Sequence, residues 1–364
     1  MDSTYTPYIA PESFDEVRNL VESEFTILQG YLDFGVPTFI IAKTPTKSPF
    51  KNLVAKMKEK SYIPSLRRMN GDLIIRVIPK PASRRSRSEI NLVLFLVTLG
   101  SILYSGYWAN ANPVLNELQG GTNVILQTVI FAAAVLAIIG LHEFGHFIVS
   151  VLRGKEVTLP YFIPGLPPLG TFGAVIMQKE LPTNRDEMFD LGSSGPIVGF
   201  IMSVIVTAIG LQQGFSFIVS ESYLASLMKK YPEAIGNIIP PLMLQALQVF
   251  LRPITQGYTL ILGPLAYAAY IGMFVTFLNL LPLWQLDGGW ISLSVFGEKW
   301  HRILSWISIL VMFFLGNWLM AFIILLFMTR TGTVQPLDEV SPLSRSRKAF
   351  AVLLLAILVL CVAL

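Results

Sequence analysis

The stretch "LAIIGLHEFGHFIVSVL", Leu136 to Leu152, sets His142, Glu143 and His146 inside an otherwise apolar run. Ionisable groups within a bilayer each cost kilocalories and persist where they pair, bind an ion or face water. Three within about one helical turn point to a shared ligand. On a helix, residues four apart project from one face, so His142 and His146 can grip one zinc ion while Glu143 stands beside it to take a proton from a water. The alternatives are a chance match or a set of polar packing residues. The chain has only three histidines in 364 residues, so finding two by chance in this frame is on the order of one per cent or less.

Composition agrees with a membrane setting. With 53% hydrophobic and 14% charged residues, the chain is too apolar for an ordinary soluble domain and holds several runs long enough to span a bilayer. The fold class expected is a multi-pass α-helical membrane protein, with six or seven transmembrane segments and a small N-terminal α+β domain on the cytoplasmic side. The first residues, "MDSTYTPYIAPESFDEV", do not read as a cleaved signal peptide. The single cysteine, Cys361, lies in the last apolar run and reads as a packed or lipid-facing thiol. It excludes an intrachain disulfide and a cysteine-based zinc site. Net charge is +4; Arg76, Lys80, Arg84, Arg85 and Arg87 precede the first apolar run. They read as positive-inside orientation and contact with anionic membrane lipids, not as a nucleic-acid surface.

Residues 1–80 read as the α+β domain, 81–90 as a basic linker and 91–364 as the membrane-embedded domain. "ESFDEVRNLVESE" and "PFKNLVAKMKEK" have helical spacing; "FTILQGYLDFG" and "PTFIIAK" read as strands across a Gly-Val-Pro turn, and "GDLIIRVIP" as a further strand. Apolar runs follow at roughly 91–109, 123–152, 190–211 and 257–286, with a final block from 302. Loop 110–122 has no Lys or Arg, so the first span runs outward and the second returns. A helix from Asn123 to Leu152 is about 45 Å long, which leaves His146 roughly 9 Å and His142 roughly 15 Å from its cytoplasmic end. Residues 302–328 read as one kinked helix or as a hairpin turning at Gly316-Asn317, the hairpin being preferred. Between spans, 222–253 has amphipathic pieces broken by Pro232 and Pro240-Pro241, which read as interfacial helices forming a cap or a substrate gate.

Zinc needs a third protein ligand and an open fourth position. The extended soluble pattern fails, because Val149 and Leu152 stand where it requires Gly and His. Glu156, Glu180, Asp186, Glu187, Asp190, Asp287 and His301 remain. Asp287 ends a long apolar run at the depth of His146, although an Asp-Gly turn at a helix end is common in any protein. His301, after "FGEKW", reads as a surface histidine.

"HEFGH" together with "NLLPLWQLDGG" (Asn279, Pro282, Asp287, Gly288) resembles the site-2 protease family of intramembrane zinc metalloproteases. "GTFGAVI" at 170–176 and "GSSGPIVGF" at 192–200 resemble two further signatures of that family, and "VQPLDEVSPLSRSRK" is similar to its prokaryotic and plastid members. Neither a PDZ domain nor a CBS pair is evident. The resemblance implies that His142, His146 and Asp287 hold one zinc ion per chain and that Glu143 is general base and then acid. Asn279 would stabilise the oxyanion, and Pro282 would break its helix so that the next turn bends to the metal. The substrates implied are transmembrane-anchored proteins. The rival is a non-proteolytic homologue, a membrane chaperone or binding protein; the intact Glu143 speaks against it.

A helical substrate must be cut in extended form, and addition to an exposed strand replaces the hydrogen bonds its helix gives up. "PPLGTFGAVIMQKE", Pro167 to Glu180, is the segment expected to offer that strand, through Gly170, Thr171, Phe172, Gly173, Ala174 and Val175. The plainer alternative is a cytoplasmic loop with an apolar patch.

Overall fold

The computed structural model describes residues 13–81, 88–120, 123–176, 178–212, 215–232, 239–330 and 332–363. Arg84, Arg85 and Arg87 of the basic linker lie outside them.

The N-terminal region is a helix-backed antiparallel sheet. Helix α1 (Phe14–Glu22) starts with Asp15 and Glu16, which suit the positive end of a helix, and turns Val17 and Val21 inward. Strands β1 (Ile27–Asp33) and β2 (Val36–Ile41) are joined by the two-residue turn Phe34-Gly35, both with positive φ, as the twist of a tight hairpin requires. The turn is thus one residue earlier than expected, and Val36 and Pro37 belong to β2. Helix α2 (Lys47–Glu59) buries Phe50, Leu53 and Met57. Strands β3 (Tyr62–Met69) and β4 (Asp72–Pro79) close over Asn70-Gly71, and the sheet order is β1-β2-β4-β3. Strand β3 is an addition to the sequence reading.

Helix α3 (Ser88–Asn110) is followed by α4 (Pro113–Leu118), α5 (Val124–Leu152) and α6 (Arg185–Gly210). By length and composition α3, α5 and α6 are apolar enough to cross a membrane. Between α5 and α6 a hairpin of β5 (Tyr161–Pro164) and β6 (Thr171–Val175) forms. Helices α7 (Glu221–Lys230) and α8 (Leu242–Leu251), flanked by the paired strands β7 (Phe217–Ser220) and β8 (Tyr258–Ile261), make up the region expected to be amphipathic.

The expected run 257–286 is divided. After β8, helix α9 (Pro264–Leu280) begins with a proline at its first turn and stops before Pro282, whose missing N–H cannot continue the helix. Helix α10 (Asp287–Phe296) then starts at Asp287, which opens a helix and does not close one. The reversal is tight. A Cβ on Gly288 would stand 2.2 Å from the Leu280 carbonyl oxygen, and one on Gly289 would stand 2.1 Å from that of Trp284, so both positions demand glycine. Helices α11 (Glu298–Phe314) and α12 (Trp318–Arg330) turn at Gly316, φ +78°, and α13 (Arg345–Leu360) ends the described chain. Cys361 is packed in the core around α9, α10 and α13.

Residues 332–344 form a strap that binds the sheet to α6. Leu66 of β3 donates to the Leu337 carbonyl at 2.8 Å; Leu337 and Asp338 donate to Pro182 and Thr183, each at 2.8 Å. Leu337 joins the sheet's apolar core. Asp338 is fully buried and accepts from the N–H groups of Val340 and Ser341, at 2.9 Å each, and from the Ser341 hydroxyl. Asp338→Ala orphans these donors at about 1–3 kcal/mol and is expected to lower the thermal midpoint of the purified protein by a few degrees. An unchanged midpoint in a melting scan contradicts the strap's structural role.

Candidate metal centre

Helix α5 carries the first two donors because its apolar length keeps one register from Asn123, whose side chain caps Ile125 and Leu126, to the buried pair His142 and Glu143. His142 Nε2 and His146 Nε2 lie 3.2 Å apart. The start of α10 brings Asp287 Oδ2 to 3.1 Å from the first and 3.2 Å from the second. These three form the metal-competent group of the described residues. A tetrahedral ion with bonds of about 2.0–2.1 Å sets its ligands about 3.3–3.4 Å apart, so the triangle has the size that donor set requires.

The surroundings orient the ligands. His146 Nδ1–H donates to the Leu191 carbonyl at 2.8 Å, with Ser194 Oγ at 3.3 Å, which leaves Nε2 with its lone pair toward the triangle. Ser150 Oγ donates to the His146 carbonyl at 2.8 Å. Asn279, on the last turn of α9, puts Nδ2 3.3 Å from His142 Nε2. Glu143 stays out of the triangle, and the Ile176 backbone N–H, directly beyond β6, faces its carboxylate. The hairpin therefore ends against this carboxylate. Within it, Thr171 is buried, Phe172 and Ala174 are half-buried, Val175 is exposed, and Gly170 and Gly173 have positive φ.

The other candidate ligands are engaged elsewhere. Glu156 pairs with Lys179 and Glu187 with Lys155. Glu180 pairs with Lys58 and Lys80. Asp186 meets Lys47 and Arg347, and Asp190 meets Arg153 and Arg347. His301 is not a surface residue: it is 1% exposed, with Nδ1 2.7 Å from Ser292 Oγ, because α11 folds that face onto α10.

Sequence reasoning missed the role of α6. Gly192, Gly195 and Gly199, spaced to share one helix face, all turn toward the centre. A Cβ on Gly195 would fall 2.2 Å from His146 Nε2 and 2.7 Å from His142 Nε2; on Gly199, 3.0 Å from His142 Nδ1; on Gly192, 2.8 Å from the Asp287 carbonyl oxygen. The spacing in "GSSGPIVGF" was the available signal. Gly195→Ala is expected to expel the metal from a folded protein; elemental analysis that still finds one ion per chain contradicts this packing.

Residues 130–322, which contain all three donors, Glu143 and Asn279, match the model of Peptidase family M50. The chain is 28% identical over 214 residues to "Probable zinc metalloprotease EGY2, chloroplastic" of Arabidopsis thaliana, covering 56% of this chain and 35% of that protein. It is 30% identical over 233 residues to "Probable zinc metalloprotease EGY1, chloroplastic" of the same plant, covering 58% and 40%. A longer match, 24% over 285 residues and 72% of this chain, is to 46% of "Probable zinc metallopeptidase EGY3, chloroplastic". The chain thus spans less than half of these relatives. No solved structure matches it.

Proposed function

This chain belongs to peptidase family M50, the site-2 protease family, and from that premise we propose that it is an intramembrane zinc metalloprotease cutting transmembrane-anchored proteins. The observation that carries the reading is the donor triangle of His142, His146 and Asp287 with a carboxylate beside it that ligates nothing. The donor chemistry suits zinc: two imidazoles and one carboxylate leave a fourth position for water or substrate. When bound there, zinc supplies a Lewis acid that makes water nucleophilic near neutral pH and polarises a peptide carbonyl.

The chain's own groups supply the rest. Glu143 takes a proton from the attacking water as its oxygen bonds to the scissile carbon, and hands that proton to the nitrogen as the C–N bond breaks. Asn279 Nδ2–H donates to the carbonyl oxygen as it gains negative charge. Strand β6 has β5 as its neighbour on one edge, and its other edge receives the extended substrate through the backbone of Gly170, Thr171, Phe172, Gly173, Ala174 and Val175. Strand backbone at membrane depth is tolerable where protein covers it, and the packing of β6 on α5 supports that placement.

The membrane-embedded domain is taken as 91–364, with spans α3, α5, α6, α9, α13 and the pair α11–α12, six or seven in all as that pair is counted once or twice. The α+β domain of 1–80 and the centre lie toward the cytoplasmic side, by the positive-inside rule.

Glu143→Gln is expected to keep the zinc and lose about 10²–10⁴-fold in cleavage; wild-type turnover of a single-pass substrate by this variant contradicts the assignment. For the strand, proline placed singly at Thr171, Phe172, Ala174 and Val175 is expected to alternate between loss and retention of cleavage at unchanged zinc content. Equal tolerance at all four positions excludes strand addition.

A further inference from the structure

Among the ties between the N-terminal layer and the elements around the centre, one runs through the Glu180 side chain. Beyond Ile176, whose backbone N–H faces Glu143, Gln178 pairs with Val157, and Lys179 donates to the Glu156 carbonyl at 3.1 Å. Glu180 follows directly on Lys179. Each Glu180 oxygen meets a lysine of the sheet layer, Lys58 Nζ at 3.0 Å from Oε2 and Lys80 Nζ at 3.0 Å from Oε1. Lys58 also donates to the Gly154 carbonyl at 3.2 Å, just past the helix that carries His142, Glu143 and His146. One lysine thus ties the end of the metal-binding helix to the end of the hairpin.

This is not a loose surface pair. The Glu180 side chain is 12% exposed; burial works against its charge, yet the two lysines hold its carboxyl below the ordinary value. The layer that presents the lysines is itself fixed, by the strap on Leu66 and by Lys47 on Asp186 at 2.6 Å. Elsewhere the hairpin is tied to α3, where Ser101 Oγ donates to Gly170 at 2.7 Å and Asn91 Nδ2 to Leu159 at 2.9 Å. Those ties hold its tip and its entry; Glu180 anchors its exit, the end beside Glu143.

We propose that Glu180 is a positioning residue: clamped by Lys58 and Lys80, it fixes the β6 edge against Glu143, so that the N-terminal region sets how substrate is presented. The clamp itself rests on these ion pairs alone; its effect on catalysis rests on the protease reading above.

The test is hydrogen–deuterium exchange on the full-length protein in detergent, with metal content measured in parallel. Glu180→Gln keeps the side chain's size and removes its charge. Amides of 161–176 are expected to exchange roughly fivefold faster, with one metal ion per chain retained, and Lys58→Ala with Lys80→Ala is expected to do the same. In cleavage of a single-pass substrate, Glu180→Gln is expected to raise KM roughly fivefold with kcat within about twofold. Unchanged hairpin exchange in Glu180→Gln overturns the proposal, as does faster exchange that the lysine pair does not share. Loss of the metal in Glu180→Gln overturns it too, by making Glu180 part of the centre. A wild-type protein that does not cleave sinks the protease reading, while the exchange data still decide the clamp.

Discussion

Three donor atoms held 3.1–3.2 Å apart among apolar helices are the constraint to which the rest of the molecule answers. Two imidazoles and a carboxylate are costly in such surroundings unless they share a cation. Bringing them together requires four helices to meet at one point. Helix α5 supplies a four-residue spacing; α9 must stop so that α10 can begin on Asp287; and α6 must come close enough that Gly195 has no room for a methyl group. The break at Pro282, the glycine pair after Asp287 and the glycine face of α6 are thus parts of one solution.

The N-terminal layer is part of the same arrangement. Its sheet edge β3 takes up the strap at Leu337, the strap continues to the capped start of α6, and Lys58 and Lys80 reach the end of the hairpin. The elements around Glu143 are therefore held from the N-terminal side as well as from the helix bundle. Ion pairs of partly exposed lysines add modest energy, but here they meet a shielded carboxylate and act together with a backbone-paired strap.

Much of the centre was legible from local pattern. The spacing in "HEFGH" singles out one helix face, and a helix-breaking proline in "NLLPLWQLDGG" is visible as such. Asp287 stands out among seven candidates by its depth at the end of an apolar run, but an Asp-Gly turn is common and carries no distance information, so only the resemblance separates it from a plain turn. The seven differ in the structure through long-range ion pairs, such as Arg347 with Asp186 and Asp190, which no local window contains. His301 was misjudged for the same reason: its burial comes from α11 packing on α10. Strand β3 was missed although Asn70-Gly71 marks a tight hairpin, because Pro64 and two arginines in "YIPSLRRM" weaken its alternation. The strap has no periodicity at all; its structure comes from backbone pairing and the buried Asp338.

The most direct measurement is cleavage in a bilayer. Full-length protein of known zinc content is reconstituted in liposomes with a single-pass substrate, and the products are mapped by mass spectrometry. The expected result is one zinc ion per chain and a cut inside the substrate's membrane segment, abolished by a zinc chelator and restored by added zinc. A protein that carries no zinc, or a cut that survives chelation, contradicts an intramembrane metalloprotease centred on His142, His146 and Asp287.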